Sequence, residues 1–104
     1  MKVLVVEDDA LLRRSIQRWL KAKGYEVILA TNVTEGRLLL LATPIDVLLL
    51  DRDVHGENGW ALKEEAPAHV KVVLMTGDRD VPEGTRYFAK GEAPLSVLFQ
   101  LIAE

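Results

Sequence analysis

The chain has 104 residues, 49% of them apolar, with thirteen basic and sixteen acidic side chains and a formal net charge of −3. That length holds one core and excludes a second domain of ordinary size, and the acidic balance argues against autonomous nucleic-acid binding. Without cysteine there is no disulfide framework and no thiolate zinc site, and His55 and His69 alone make no metal cage.

Met1 and Lys2 lead straight into a four-residue apolar run, Val3 to Val6, closed by Glu7, Asp8 and Asp9. The run is too short and wrongly flanked for a signal peptide, so the expected location is the cytoplasm. Asp9 suits the N-cap of a first helix, which places Leu12, Ile16, Trp19 and Leu20 on one stripe and Arg13, Arg14, Gln17, Arg18 and Lys21 away from it. Gly24 stops that helix, and Val27 to Ala30 reads as a second strand. Asn32 and Glu35 are spaced like a capping box for a helix through Ala42, ended by Pro44. The Leu-rich stretch Leu38 to Leu50 is broken by Pro44 and Asp46 and does not span a bilayer. Val47 to Leu50 is a third strand; a loop with Gly56 and Gly59 and a short helix from about Trp60 to Ala66 follow. Val72 to Met75 and about Arg86 to Ala89 complete five strands, and Pro94 opens a last amphipathic helix through Ile102. Strands alternating with helical patterns predict an α/β fold with a parallel sheet covered on both faces, in a single domain spanning residues 1–104. One link is irregular. The segment Gly77 to Thr85, GDRDVPEGT, is too short and too polar for the helix that a parallel crossover normally carries.

Four of the strands end at residues suited to phosphate and metal: Glu7 and Asp8, then Asp51, Thr76 and Lys90. Parallel sheets bind ligands outside the carboxyl ends of their strands, so these residues are expected in one pocket. A carboxylate attacks a phosphoryl group when nearby negative charge is neutralised and the group is held in line, which makes Asp51 the candidate nucleophile. Magnesium takes one or two protein carboxylates and keeps positions for phosphate. Asp8 and Asp51 suit that role, with Glu7 acting through water, and the crowding of acids itself favours a cation. Lys90 supplies a point charge for phosphoryl oxygens and Thr76 a hydroxyl donor.

With these residues in place, the chain resembles the receiver domains of two-component response regulators along its whole length. The matching strings are VLVVEDD, LLLDRDVHGENG, VVLMTG and RYFAKG. The resemblance implies a flavodoxin-like (βα)5 sandwich with sheet order 2-1-3-4-5, in which the helix between strands four and five is absent or vestigial. It makes Asp51 the phosphoacceptor, Glu7 and Asp8 the acidic pair, and Asp53 a donor of its backbone carbonyl to Mg2+. Thr76 and Lys90 take the family's hydroxyl and lysine places, and Tyr87 takes that of the switch aromatic. The implied function is a phosphorelay module rather than a turnover enzyme. Its partners are a histidine kinase or histidine phosphotransfer protein, which meets the first helix, and a downstream protein target. No direct nucleic-acid or membrane contact is expected.

The departures from the family are specific. His55 stands where proline is usual, and Lys90-Gly91 replaces a Lys-Pro pair with a cis bond, so a trans bond is expected here. The missing helix is expected to uncover apolar sheet surface over strands four and five, with a homodimer as one possible occupant. The chain ends after its last helix, so no output domain is expected beyond it. Two alternatives remain: a receiver-like interaction domain that is not phosphorylated, and a phosphatase like the haloacid dehalogenases using Asp51 and Asp53. Trp19 is assigned to the core stripe, Trp60 to anchoring the third helix, and His55 and His69 to exposed loops.

Overall fold

In the computed structural model, which describes residues 1–77 and 80–104, a five-stranded parallel sheet lies between two layers of helix. Its strands are β1 (Lys2–Val6), β2 (Glu26–Ala30), β3 (Val47–Asp51), β4 (Lys71–Thr76) and β5 (Tyr87–Ala89). The spatial order is β2-β1-β3-β4-β5, with Val3 beside Val27 and Val47, and Leu50 beside Leu74. β3 is buried along its whole length, as an unbroken apolar run in a sheet covered on both faces must be. One face carries Val3, Val5, Val47, Leu49, Val73, Met75 and Phe88, against Ile16, Leu20, Leu98 and Ile102. The other carries Leu4, Val6, Leu48, Leu50 and Leu74, against Val33, Leu40 and Leu62.

Local chemistry explains the helices. α1 (Ala10–Ala22) starts at Asp9, whose carboxylate accepts from the N–H groups of Leu11 and Leu12 at 3.0 and 3.2 Å. It ends in a Schellman arrangement, with Tyr25 N–H donating to Leu20 O and Gly24 N–H to Lys21 O. α2 (Val33–Ala42) is capped by Asn32, which accepts from Glu35 N–H at 2.8 Å; Glu35 reaches back to Thr31 N–H rather than to Asn32 itself. α3 (Leu95–Ala103) follows Pro94 and buries Leu98 and Ile102. Among the described residues no helix is long and apolar enough to cross a membrane.

Several expectations need correction. The short third helix is a 3-10 segment, Gly59–Glu65, with Gly59 and Leu62 buried. That spacing of three follows the tighter helical period, whereas Ile16 and Leu20 in α1 are four apart. Trp19 is not in the core: it is 46% exposed and stacks on Phe99 of α3 with ring centroids 4.8 Å apart. Between Thr76 and Tyr87 no described residue is helical, while Asp78 and Arg79 of that link lie outside the described residues. The apolar sheet surface expected there is largely covered. Leu74 is buried in the same cluster as Leu62 and Val54, and Val72 is half-buried, which leaves Tyr87 at 45% exposure.

Candidate functional site

Because the strands run parallel, the chain leaves each at the same edge of the sheet, and the residues that follow converge there. Glu7, Asp8, Asp9, Asp51, Arg52, Asp53, Thr76, Gly77 and Lys90 line one cleft of about 440 Å3. Glu7 is fully buried, Asp51 is 5% exposed and Thr76 2%; Asp8 is half-buried at the mouth. Carboxylate oxygens of Glu7, Asp8 and Asp51 lie within 4.8 Å of one another.

Lys90 crosses the centre of this group. Its backbone N–H donates to Thr76 O at 2.8 Å, which fixes the chain as it leaves β5. Its ammonium then donates to Asp51 Oδ1 at 3.0 Å and to both oxygens of Glu7 at 3.1 and 3.2 Å. Gly91, with φ +79°, turns the chain immediately afterwards in a conformation closed to proline, whose φ is held near −65°. The Lys90–Gly91 bond is trans, as expected.

One ammonium compensates only part of the charge of three carboxylates. Burial raises the Glu7 pKa, and the nearby Asp51 charge adds to this; Lys90 and the Asp9 N–H pull the other way, leaving it at about 7. Burial also raises that of Asp51, against the opposing contact with Lys90. Burial works against the Lys90 charge, but its contacts with Asp51 and Glu7 outweigh that and hold its pKa above the ordinary value. A carboxylate cluster that stays partly protonated near neutral pH is short of positive charge. Its all-oxygen donor set fits a hard divalent cation such as magnesium.

The acidic triplet divides its work. Asp9 caps α1, and its N–H holds Glu7 Oε1 at 3.1 Å, while Arg13 donates to the Glu7 and Asp8 carbonyls at 3.0 and 3.4 Å. Asp53 turns its carboxylate to Gly56 N–H at 2.9 Å, and Tyr87 stands exposed on the edge strand. The close approach behind Asp51 requires Gly59, where a Cβ would collide with the carbonyl oxygen of Asp51.

Sequence reasoning missed the role of His55. Residues Asp53–Val54 and Glu57–Asn58 pair as a small antiparallel hairpin whose two-residue loop is His55-Gly56, with φ +53° and +81°. Positive φ at both loop positions is the signature of a type I′ turn. The turn aims His55 N–H at Asp8 Oδ2, 3.0 Å away. A proline at this position has no such donor.

The family described as the response regulator receiver domain matches residues 3–93. The chain belongs to that family. Over 86 residues it is 34% identical to the transcriptional regulatory protein AruR of Pseudomonas aeruginosa, which covers 76% of the chain and 35% of AruR. This receiver thus spans about a third of that relative's length. The fold superposes with a TM-score of 0.84 on the response regulator TrrA of Thermotoga maritima in complex with Mg2+-BeF, at 20% identity, covering 98% of this chain and 96% of the other. It also superposes with a TM-score of 0.80 on a response regulator of Burkholderia pseudomallei that carries a phosphorylated aspartic acid, a calcium ion and citrate. That match is 23% identical and covers 96% of this chain and 65% of the other. Receiver domains are signalling modules, and the family match supports that reading over the phosphatase alternative, whose second acid, Asp53, accepts from Gly56 N–H in the hairpin turn.

Proposed function

We propose that the chain is a phosphoacceptor of a two-component relay, taking a phosphoryl group onto Asp51 from a phosphohistidine of a kinase or phosphotransfer protein. The observation that carries this reading is the placement of Asp51 at the end of β3, held by the Lys90 ammonium and flanked by Glu7 and Asp8 in one cleft. Magnesium held by Asp8, Asp51 and the Asp53 carbonyl, with Glu7 through water, would neutralise phosphoryl oxygens and the attacking carboxylate together.

The chain's own groups then have separate tasks. An Asp51 oxygen forms the new bond to phosphorus while the phosphorus–nitrogen bond of the donor breaks, and the imidazole nitrogen leaves with the electron pair. Lys90 moves from a carboxylate partner to the added phosphoryl oxygens, and the Thr76 hydroxyl donates to another of them. The 2% exposure of Thr76 keeps water from competing for that bond. Tyr87 on the edge strand is the proposed switch residue, and the signal leaves by contact with a downstream protein or a second copy of the chain. The module is a single receiver spanning residues 1–104, an acceptor rather than a turnover enzyme, and works in the cytoplasm.

Incubation with Mg2+ and acetyl phosphate followed by intact-mass measurement tests this reading. Wild type is expected to gain one labile phosphoryl group and Asp51→Asn none. An unmodified wild type with no magnesium affinity would leave an interaction domain that is not phosphorylated. Light scattering with and without acetyl phosphate tests the second copy as a partner, and a monomer in both states refutes it.

A further inference from the structure

α1 starts at Asp9, in the acidic cleft, and ends where the chain turns through Gly24 into β2, so its last turn lies at the opposite edge of the sheet, about 20 Å away. α3 likewise runs from the Lys90 side of the cleft back to Ala103. Between the two helix ends a groove of about 390 Å3 is lined by Trp19, Lys23, Tyr25, Ser96, Phe99 and Gln100. The core beneath is closed without it, since Ile16, Leu20, Leu98 and Ile102 are all buried. Trp19 instead stacks on Phe99, with the ring planes 19° apart, and keeps close to half its surface in solvent. Exposed tryptophan and tyrosine beside an apolar groove are the residue types that most often anchor a partner.

The charge around this groove is of one sign. From Ala10 to Tyr25 the sequence places five of the thirteen basic side chains and none of the sixteen acidic ones. Arg13 turns back to the Glu7 and Asp8 carbonyls, whereas Arg14, Arg18, Lys21 and Lys23 are exposed and have no ion-pair partner among the described residues. The acids that flank the groove in sequence are engaged elsewhere, Glu26 with Lys2 at 3.9 Å and Glu104 with Arg86 at 3.7 Å. α3 itself carries no charged side chain. The rest of the chain holds the other eight basic side chains against all sixteen acidic ones. An extended polyanion such as nucleic acid or a membrane surface would run from the patch onto that acidic remainder, whereas a short acidic segment meets the patch alone.

We propose that the groove between α1 and α3 is a docking site for an acidic amphipathic helix of a partner protein. One large apolar side chain seats against Trp19 and Phe99, and carboxylates beside it are drawn to Arg18, Lys21 and Lys23. This is helix-in-groove recognition in which charge sets the orientation. It is separate from phosphoryl transfer, because a donor must reach Asp51 at the cleft edge, a full helix length from the groove. The bound helix tethers the receiver in either phosphorylation state, and the inference stands independently of the reading of Asp51.

The probe is a fluorescein-labelled synthetic helical peptide with leucine and phenylalanine on one face and glutamate on the other, titrated with the full chain and read by anisotropy. Wild type is expected to bind it at least tenfold more tightly than a version with lysine for glutamate, and than a version with alanine on the apolar face. The double variant Arg18→Glu, Lys21→Glu and, separately, Trp19→Ala should each lose tenfold or more while keeping the circular dichroism of wild type. Asp51→Asn should bind within twofold of wild type. In NMR the indole N–H of Trp19 should shift on binding, and that of Trp60, which packs on the other face of the sheet, should not. Equal binding of the alanine-faced peptide would reduce the effect to unspecific charge attraction. Equal binding of the lysine peptide, or no binding, would leave no acidic partner, and tighter binding of a single-stranded oligonucleotide or of anionic vesicles would assign the patch to a polyanion. Each of these overturns the proposal. Peptide binding in a chain that takes no phosphoryl group would remove the reading of Asp51 and leave this one.

Discussion

Glu7 is the buried acid whose state should govern the metal-free protein, and replacing it with glutamine gives a sharp test. Its pKa rises from an ordinary 4.5 to about 7, first through burial and then through the charge of Asp51. The folded chain therefore keeps the Glu7 proton up to near neutral pH, whereas the unfolded chain releases it near pH 4.5. Stability rises with pH only where the unfolded state binds more protons; here the folded state binds more, so stability falls between about pH 4.5 and 7 and levels off above. At about 1.4 kcal/mol per pKa unit the fall is on the order of 3 kcal/mol. Asp51 shifts in the same direction and adds to it, while the raised Lys90 pKa acts only in alkali, outside this window.

Urea denaturation in EDTA at pH 5, 6, 7 and 8 reads this directly. Wild type should lose stability across the series and Glu7→Gln should be much flatter, keeping only the Asp51 contribution. Saturating Mg2+ should restore stability most at pH 8, since a cation binds the deprotonated cluster and stabilises by mass action. Wild-type stability that rises from pH 5 to 7 in EDTA would refute the reasoning. So would a variant with the wild-type slope, because the titrating group would then lie elsewhere.

Three further substitutions separate the site from its supports. Gly59→Ala forces a methyl group into the Asp51 carbonyl and against Val54, and should cost about 3 kcal/mol in urea denaturation and weaken Mg2+ binding as Asp51 moves. Asp9→Ala removes the α1 cap and should cost about 1 kcal/mol, while Mg2+ affinity by calorimetry changes far less than in Asp8→Ala. Leu62→Ala empties a fully buried position of the 3-10 segment and should cost roughly 2–5 kcal/mol, read as a shift in the urea midpoint at constant slope.

What could be read ahead of the structure was what depends on local pattern. Apolar runs of strand length marked all five strands, because a parallel sheet buries both faces and leaves no alternation to blur them. Asp9 and Asn32 marked helix starts, because a cap bonds only residues two or three ahead. Contacts far apart in sequence were hidden. Trp19 was placed with the stripe of Ile16 and Leu20, which are four apart, but one residue before Leu20 lies about 100° around the helix, and its partner Phe99 comes from the far end of the chain. The lack of a crossover helix predicts uncovered apolar surface over strands four and five, but Leu74 of β4 is buried because burial depends on the whole cluster it joins, which includes Leu62 and Val54.

His55 shows most clearly where a finer reading was available. His-Gly between Asp53–Val54 and Glu57–Asn58 carries the two-residue hairpin signal, with histidine where asparagine is the comfortable choice. Its bond to Asp8, 47 positions away, depends on β1 and β3 being neighbours, a fact of topology rather than of local pattern. Gly91 follows the same logic at the opposite side of the cleft: its positive φ belongs with a lysine whose backbone is tied to Thr76 and whose ammonium reaches Asp51 and Glu7. Where His55 and Gly91 depart from the family's two prolines, the chain gains a backbone donor to one carboxylate and a different turn behind the lysine. Both departures adjoin the acidic cleft, one through Asp8 and the other through Lys90, and leave the order of the sheet unchanged.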